Sequence, residues 1–169
     1  MDGECEDTED SEPQLLLFGA PVLRARTPVE FVPERRFQLL ALLAMNAGQW
    51  VPRDRVADLL WPERANADAR RNLRKVIFDA HALPSIQGIE ANDHALRWSV
   101  RTDVQMLEDA IAQQQWGAAW AARRGPLLDG LEDPGNAAWT EWLQGQRARL
   151  DEVCQRAGHR ALSVANEPV

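Results

Sequence analysis

The sequence predicts an α+β fold: a winged helix-turn-helix unit with a small N-terminal antiparallel sheet, followed by an all-α helical segment. Three observations carry this. A β-patterned stretch precedes three helical stretches, and only a short turn separates the second helix from the third. A hairpin pattern with Asn92-Asp93 at its centre follows the third helix. From Asp103 onward the apolar spacing is helical.

Residues 1–13 read as a disordered acidic leader. Asp2, Glu4, Glu6, Asp7, Glu9, Asp10 and Glu12 have no basic neighbour there. Those carboxylates account for the whole formal charge of −7, so the remaining chain is about neutral. A neutral body with a local basic face is compatible with a polyanionic partner.

Residues 14–25 (QLLLFGAPVLRA) read as a strand interrupted by Gly19 and Pro21, which suggest a bulge, a turn or an edge, and residues 29–32 alternate as a second. Pro33 suits the first turn of a helix in which Phe37, Leu40, Ala41 and Ala44 share a face. Gly48 is its stop, and Gln49-Trp50-Val51 adds a short strand pairing. A second helix covers residues 53–60, with Val56, Leu59 and Leu60 inward, and Trp61-Pro62 ends it. Asn66 is the natural cap of the third helix. Ala69, Leu73, Val76, Ile77, Ala80 and Leu83 mark its buried face, and Pro84 stops it. Residues 89–91 and 95–98 are the two strands of the hairpin.

Three further helices follow. Val104, Leu107 and Ile111 mark one, residues 116–122 a second, and Asn136 caps a long third that runs to about Ala165. Trp139, Leu143, Leu150, Val153, Ala157, Ala161 and Val164 form the stripe of that last helix. Two or three such helices bury little alone. Part of the stripe should therefore meet the winged unit, a second subunit or further chain. The expected organisation is leader 1–13, winged helix 14–101 and helical segment 102–165.

The chemistry concentrates on the third helix. At about 100° per residue, Arg71, Arg74, Lys75 and Phe78 fall opposite the apolar face, with Arg70 beside them. Such an arginine cluster can pair with phosphates and read guanine edges. On the helical wheel Arg71 and Arg74 are the base readers, and Arg70 and Lys75 the phosphate contacts. Asn72 either pairs with Asp68 one turn back or reads adenine. Phe78 is expected to pack on the wing rather than touch a thymine methyl. In a winged helix-turn-helix the third helix enters the major groove and the wing lies on the adjacent backbone. That makes Arg97 and Arg101 the wing cations and gives Arg53 a backbone contact. The tryptophans are read as packing residues rather than a stacking platform for single strands.

Enzymatic signatures are missing: no phosphate loop, no His-Glu-x-x-His and no Gly-x-Ser-x-Gly. His81, His94 and His159 lack ligand spacing, so no metal and no other cofactor is expected. Cys5 and Cys154 form no disulfide framework, and neither a signal peptide nor a membrane-length apolar run is present. The expected setting is the cytoplasm, with no membrane partner and no small-molecule site.

The run VPRDRVADLLWP (51–62) resembles the second-helix signature of bacterial transcriptional activators of the antibiotic-regulatory-protein class. ARRNLRKV (69–76) is similar to their recognition helix and stands at the spacing of that family. Thr102-Asp103-Val104 resembles the exit from their wing. RGPLLDGL (124–131), Trp142-Leu143 and RARL (147–150) resemble two stretches of their bacterial transcriptional activator domain. The resemblance spans most of residues 15–162. It implies a response-regulator type of winged helix followed by the start of a tetratricopeptide-like domain. It also implies binding to double-stranded DNA, pairing of protomers and contact with RNA polymerase. The helical domain of those relatives is longer, which reads this chain as a truncated or naturally short member. The chain departs from them at Asp79 and His81, where many carry arginines, and at His94-Ala95 in the wing.

Two functional readings follow. The first is a sequence-specific DNA-binding transcription regulator that uses Arg70, Arg71, Asn72, Arg74, Lys75, Arg97 and Arg53. In it the helical segment mediates dimer or polymerase contacts. The second is a non-enzymatic protein-interaction module whose winged helix no longer binds DNA, motivated by Asp79, His81 and the acidic leader.

Overall fold

The computed structural model describes residues 13–166; the acidic leader, apart from Pro13, lies outside the described residues. The chain begins with β1 (Leu15–Leu16), β2 (Val22–Leu23) and β3 (Val29–Glu30), an antiparallel sheet in that order. Leu15 pairs with Leu23, and Leu23 with Val29. Residues 14–25 are thus a hairpin: of the bulge, turn or edge that Gly19 and Pro21 suggest, the turn is realised. Gly19 sits in its turn at φ +83, backbone that side-chain-bearing residues disfavour.

Helix α1 (Arg35–Met45) leads through β4 (Val51–Pro52) into α2 (Arg53–Leu60) and α3 (Asn66–His81). The hairpin β5 (Ile89–Ala91) and β6 (Ala95–Trp98) follows, then α4 (Asp103–Ala112), α5 (Trp116–Ala122) and α6 (Ala137–Ala165). β6 is the central strand of the second sheet, between β4 and β5, with Val51 opposite Leu96 and Glu90 opposite Arg97. Leu96 and Trp98 point into the core and Arg97 lies on the other face, the alternation a half-buried strand requires. No helix among the described residues is long and apolar enough to cross a membrane.

Two helix termini depart from the sequence reading. Ala65 occupies the N-cap position of α3 and gives no side-chain cap; Asn66 is already helical. Asn136 does cap α6, its side chain accepting the Trp139 N–H at 3.1 Å. The stripe of α6 is buried at Trp139, Leu143, Leu150, Cys154 and Ala157, whereas Val164 is exposed.

Where the sequence places a change of domain, at 101/102, the backbone is shared. Gln14 and Leu15 donate their N–H groups to the Arg101 carbonyl, and Leu15 forms a parallel bridge with Thr102. Phe18 bridges Leu127, and the Leu128 N–H donates to Leu17 O at 2.8 Å. Asp103, buried in the first turn of α4, accepts the Leu17 and Phe18 N–H groups at 2.8 and 3.1 Å. Those donors have no ladder partner at the β1–β2 turn, so the carboxylate supplies one. Burial pushes its carboxyl above the usual range, although these hydrogen bonds and the Arg124 charge pull the other way.

Three polar side chains tie α6 and the loop before it to the rest of the chain. The Asn136 amide donates to Leu59 O at 2.9 Å, so one residue caps the start of α6 and the end of α2. Asp133 pairs with Arg35 and accepts from Gln38, both on α1. Arg147 donates to the carbonyls of Leu127 and Leu128 and pairs with Glu132 at 2.6 Å. The buried apolar residues on both sides of position 101 accordingly belong to one core.

Candidate nucleic-acid interface

The geometry of α3 follows from its sequence period. Ala69, Leu73, Val76 and Ala80 are buried against the body, and Arg70, Arg71, Arg74, Lys75 and Phe78 are exposed. Helix α2 packs on α3 and holds it outward, so the basic side is available along its length. Between α3 and the wing tip runs an open groove of about 790 Å³. Arg53, Asp54, Arg70, Leu73, Arg74 and His94 are among its lining residues.

The wing tip is fixed by local hydrogen bonds. Asn92 accepts the His94 and Ala95 N–H groups at 2.8 and 2.7 Å, the side-chain turn that asparagine favours. Arg53 donates from Nε to the Asn92 carbonyl at 2.8 Å, and its own N–H donates to His94 O. Arg53 therefore joins the start of α2 to the wing and is one of the residues lining the groove.

The cations divide into paired and free. Arg70 contacts Asp54 at 3.1 Å, and Arg71 contacts Asp68 at 3.4 Å across one helical turn. The side chains of Arg74 and Lys75 make no ion pair or hydrogen bond among the described residues, and neither does that of the half-buried Asn72. Asn72 is thus not paired with Asp68, which holds Arg71 instead.

Arg97 stands on the wing strand β6, as the sequence suggests, but with its charge engaged, whereas Arg101 lies beyond the wing. Arg97 pairs with Glu90 at 2.7 Å across the hairpin and lies over the Trp50 ring at 4.5 Å. Its Nε is buried without a partner. Arg101 has left the wing and pairs with Asp109 on α4 at 2.8 Å. The structure thus brings Arg53, Arg70 and Arg74 to one groove, sets Arg71 and Lys75 on the outer face of α3, and holds Arg97 on the sheet.

Phe78 does not pack on the wing, as the sequence reading has it; it is 73% exposed. Asp54 is the residue that sequence reasoning misses. It lies sixteen positions before Arg70. No periodic signal links them, because the contact exists only once α2 and α3 are packed.

No family model matches the chain, and no curated protein does. Among solved structures the fold is similar to Mycobacterium tuberculosis EmbR, solved in complex with a low affinity phosphopeptide. The TM-score is 0.57 and the identity 24%, over 87% of this chain and 44% of that one. The likeness is one of fold, and this chain spans less than half the length of its neighbour.

Proposed function

We propose that the protein is a sequence-specific, non-enzymatic regulator of transcription that binds double-stranded DNA. In this reading α3 enters the major groove, and the wing tip and Arg53 lie on the adjacent backbone. The observation that carries it is the row of Arg70, Arg71, Arg74 and Lys75 on the exposed side of a third helix, beside an open groove and a hairpin. The likeness to EmbR, a transcriptional regulator of the antibiotic-regulatory-protein family, supports the same reading. The winged unit over 14–101 supplies the DNA contact. The helical segment over 102–165 supplies contacts to a second copy or to RNA polymerase. The protein works in the cytoplasm without a cofactor.

Anisotropy of the full chain on genomic and random duplexes across a salt series tests this. Each phosphate neutralised by a cation contributes about −0.9 to the slope of log affinity on log salt. Engagement of all four α3 cations gives a slope of about −3.6, and engagement of Arg74 and Lys75 alone about −1.8. Arg71→Glu/Arg74→Glu removes specific binding. Normal promoter binding by that variant would show that α3 is not the reading helix.

A second reading rests on the aspartates. Asp54 and Asp68 already hold two of the α3 arginines, and Asp93 lines the groove. A winged helix so compensated serves as a protein-interaction module. The discriminating result is an absence of DNA binding at low salt, unchanged when residues 1–12 are deleted.

A further inference from the structure

We propose that Phe78 is a specificity-determining residue that reads the C5 methyl of a thymine in the major groove. The inference rests on the DNA-binding reading above and names the base feature recognised. Seven residues after Arg71, Phe78 lies within about 20° of it on the helix wheel, and within about 40° of Arg74 and 60° of Lys75. It stands about 180° from the buried Ala69. Phe78 therefore occupies the outermost line of α3, the line that meets the groove floor when a helix is inserted.

The ring is the most exposed large apolar side chain among the described residues. Its flanking cations Arg74 and Lys75 make no ion pair there. An apolar ring rimmed by free cations fits a polyanion that presents an apolar feature at the foot of its phosphates. In duplex DNA that feature is the thymine methyl, the apolar mark of the major groove. A protein partner would have to bring its own carboxylates to Arg74 and Lys75 around an apolar pocket, a more demanding surface than a groove whose walls are phosphates.

The test uses the full chain and a duplex enriched by it from a random pool. Each thymine is replaced in turn by deoxyuridine, which deletes the methyl and nothing else. Wild-type protein should lose about three- to tenfold in affinity at one or two positions of the site. Phe78→Ala should bind the thymine duplex at the weakened level and not respond to the replacement. Phe78→Leu, which keeps an apolar tip, should retain part of the response. Phe78 is exposed, so these substitutions leave the helix packing intact. Specific binding that tolerates every replacement, or equal responses from wild type and Phe78→Ala, overturns the proposal while the DNA reading stands. Unchanged DNA binding by Phe78→Ala with loss of reporter transcription assigns the ring to a protein partner and also overturns it. Failure to enrich any duplex removes the DNA reading itself.

Discussion

Helices α1 and α3 lie in contact, yet they treat their sequences in opposite ways. In α1 every residue from Phe37 to Ala44 is buried, Gln38 included. In α3 only Ala69, Leu73, Val76 and Ala80 are buried, and the charged side stays in water. α1 packs against α2, α3 and β6, so it has no free face. α3 packs mainly on α1 and α2 among the described residues and leaves its opposite side exposed. Stability is therefore concentrated in α1 and its ties to Asp133 in the loop before α6, and the DNA recognition proposed above falls on α3. Substitutions in the two helices should separate cleanly in what they change.

The largest effect is expected in α1. Leu40→Ala removes a fully buried side chain and should cost about 3–4 kcal/mol by chemical denaturation. Phe78→Ala on α3 should stay within about 0.5 kcal/mol of wild type. A comparable loss from both would erase the distinction between them.

Next comes Asn136, which joins the long helix to the helix-turn-helix. Asn136→Ala empties the α6 cap and leaves the Leu59 carbonyl without its amide donor. About 2–3 kcal/mol should be lost in urea unfolding. The same coupling predicts that residues 14–101 expressed alone will lack a cooperative transition, because Asp103 and Leu127 complete their first sheet. A sharp transition from that piece would make the junction dispensable.

A smaller effect, with a pH signature, belongs to Asp133. Burial opposes its ionisation, but the hydrogen bonds from Arg35 and Gln38 outweigh this and hold its carboxyl below the usual range. A depressed folded pKa contributes stability that is present above the unfolded value, about pH 4, and lost as pH falls through the folded value. Asp133→Asn should cost about 1 kcal/mol at neutral pH, and the difference should fade below about pH 4. A pH-independent difference would make the contact steric rather than electrostatic.

The smallest change concerns the α3 face itself. Asp54 holds Arg70 in an ion pair, so in the proposed DNA complex it competes with phosphate for that guanidinium. Asp54→Asn should tighten DNA binding roughly two- to fivefold at low salt, with the gain shrinking as salt rises, and leave the denaturation midpoint unchanged. Weaker binding by this variant would mean that the aspartate positions Arg70 instead of occupying it.

The sequence by itself determined much of this protein. Helical period placed α2, α4, α5 and α6, and turn residues placed the hairpin at Asn92-Asp93, because both signals are local and set by backbone geometry. The same period separated the buried and basic sides of α3. The tertiary structure decided what each charge does. Arg70 meets Asp54 only once α2 and α3 have packed, Arg101 meets Asp109 on the α4 it leads into, and Arg97 lies across the outer face of the sheet on Glu90 and Trp50. Phe78 remained exposed because no element among the described residues covers the outer line of α3, and a helical wheel cannot report what lies beyond the helix. The coupling across 101/102 was likewise invisible in sequence, since the donors of Leu17 and Phe18 find Asp103 more than eighty residues away. Spacing along one element is written in the chain; the pairing of polar groups between elements is set by which surfaces the hydrophobic core brings together.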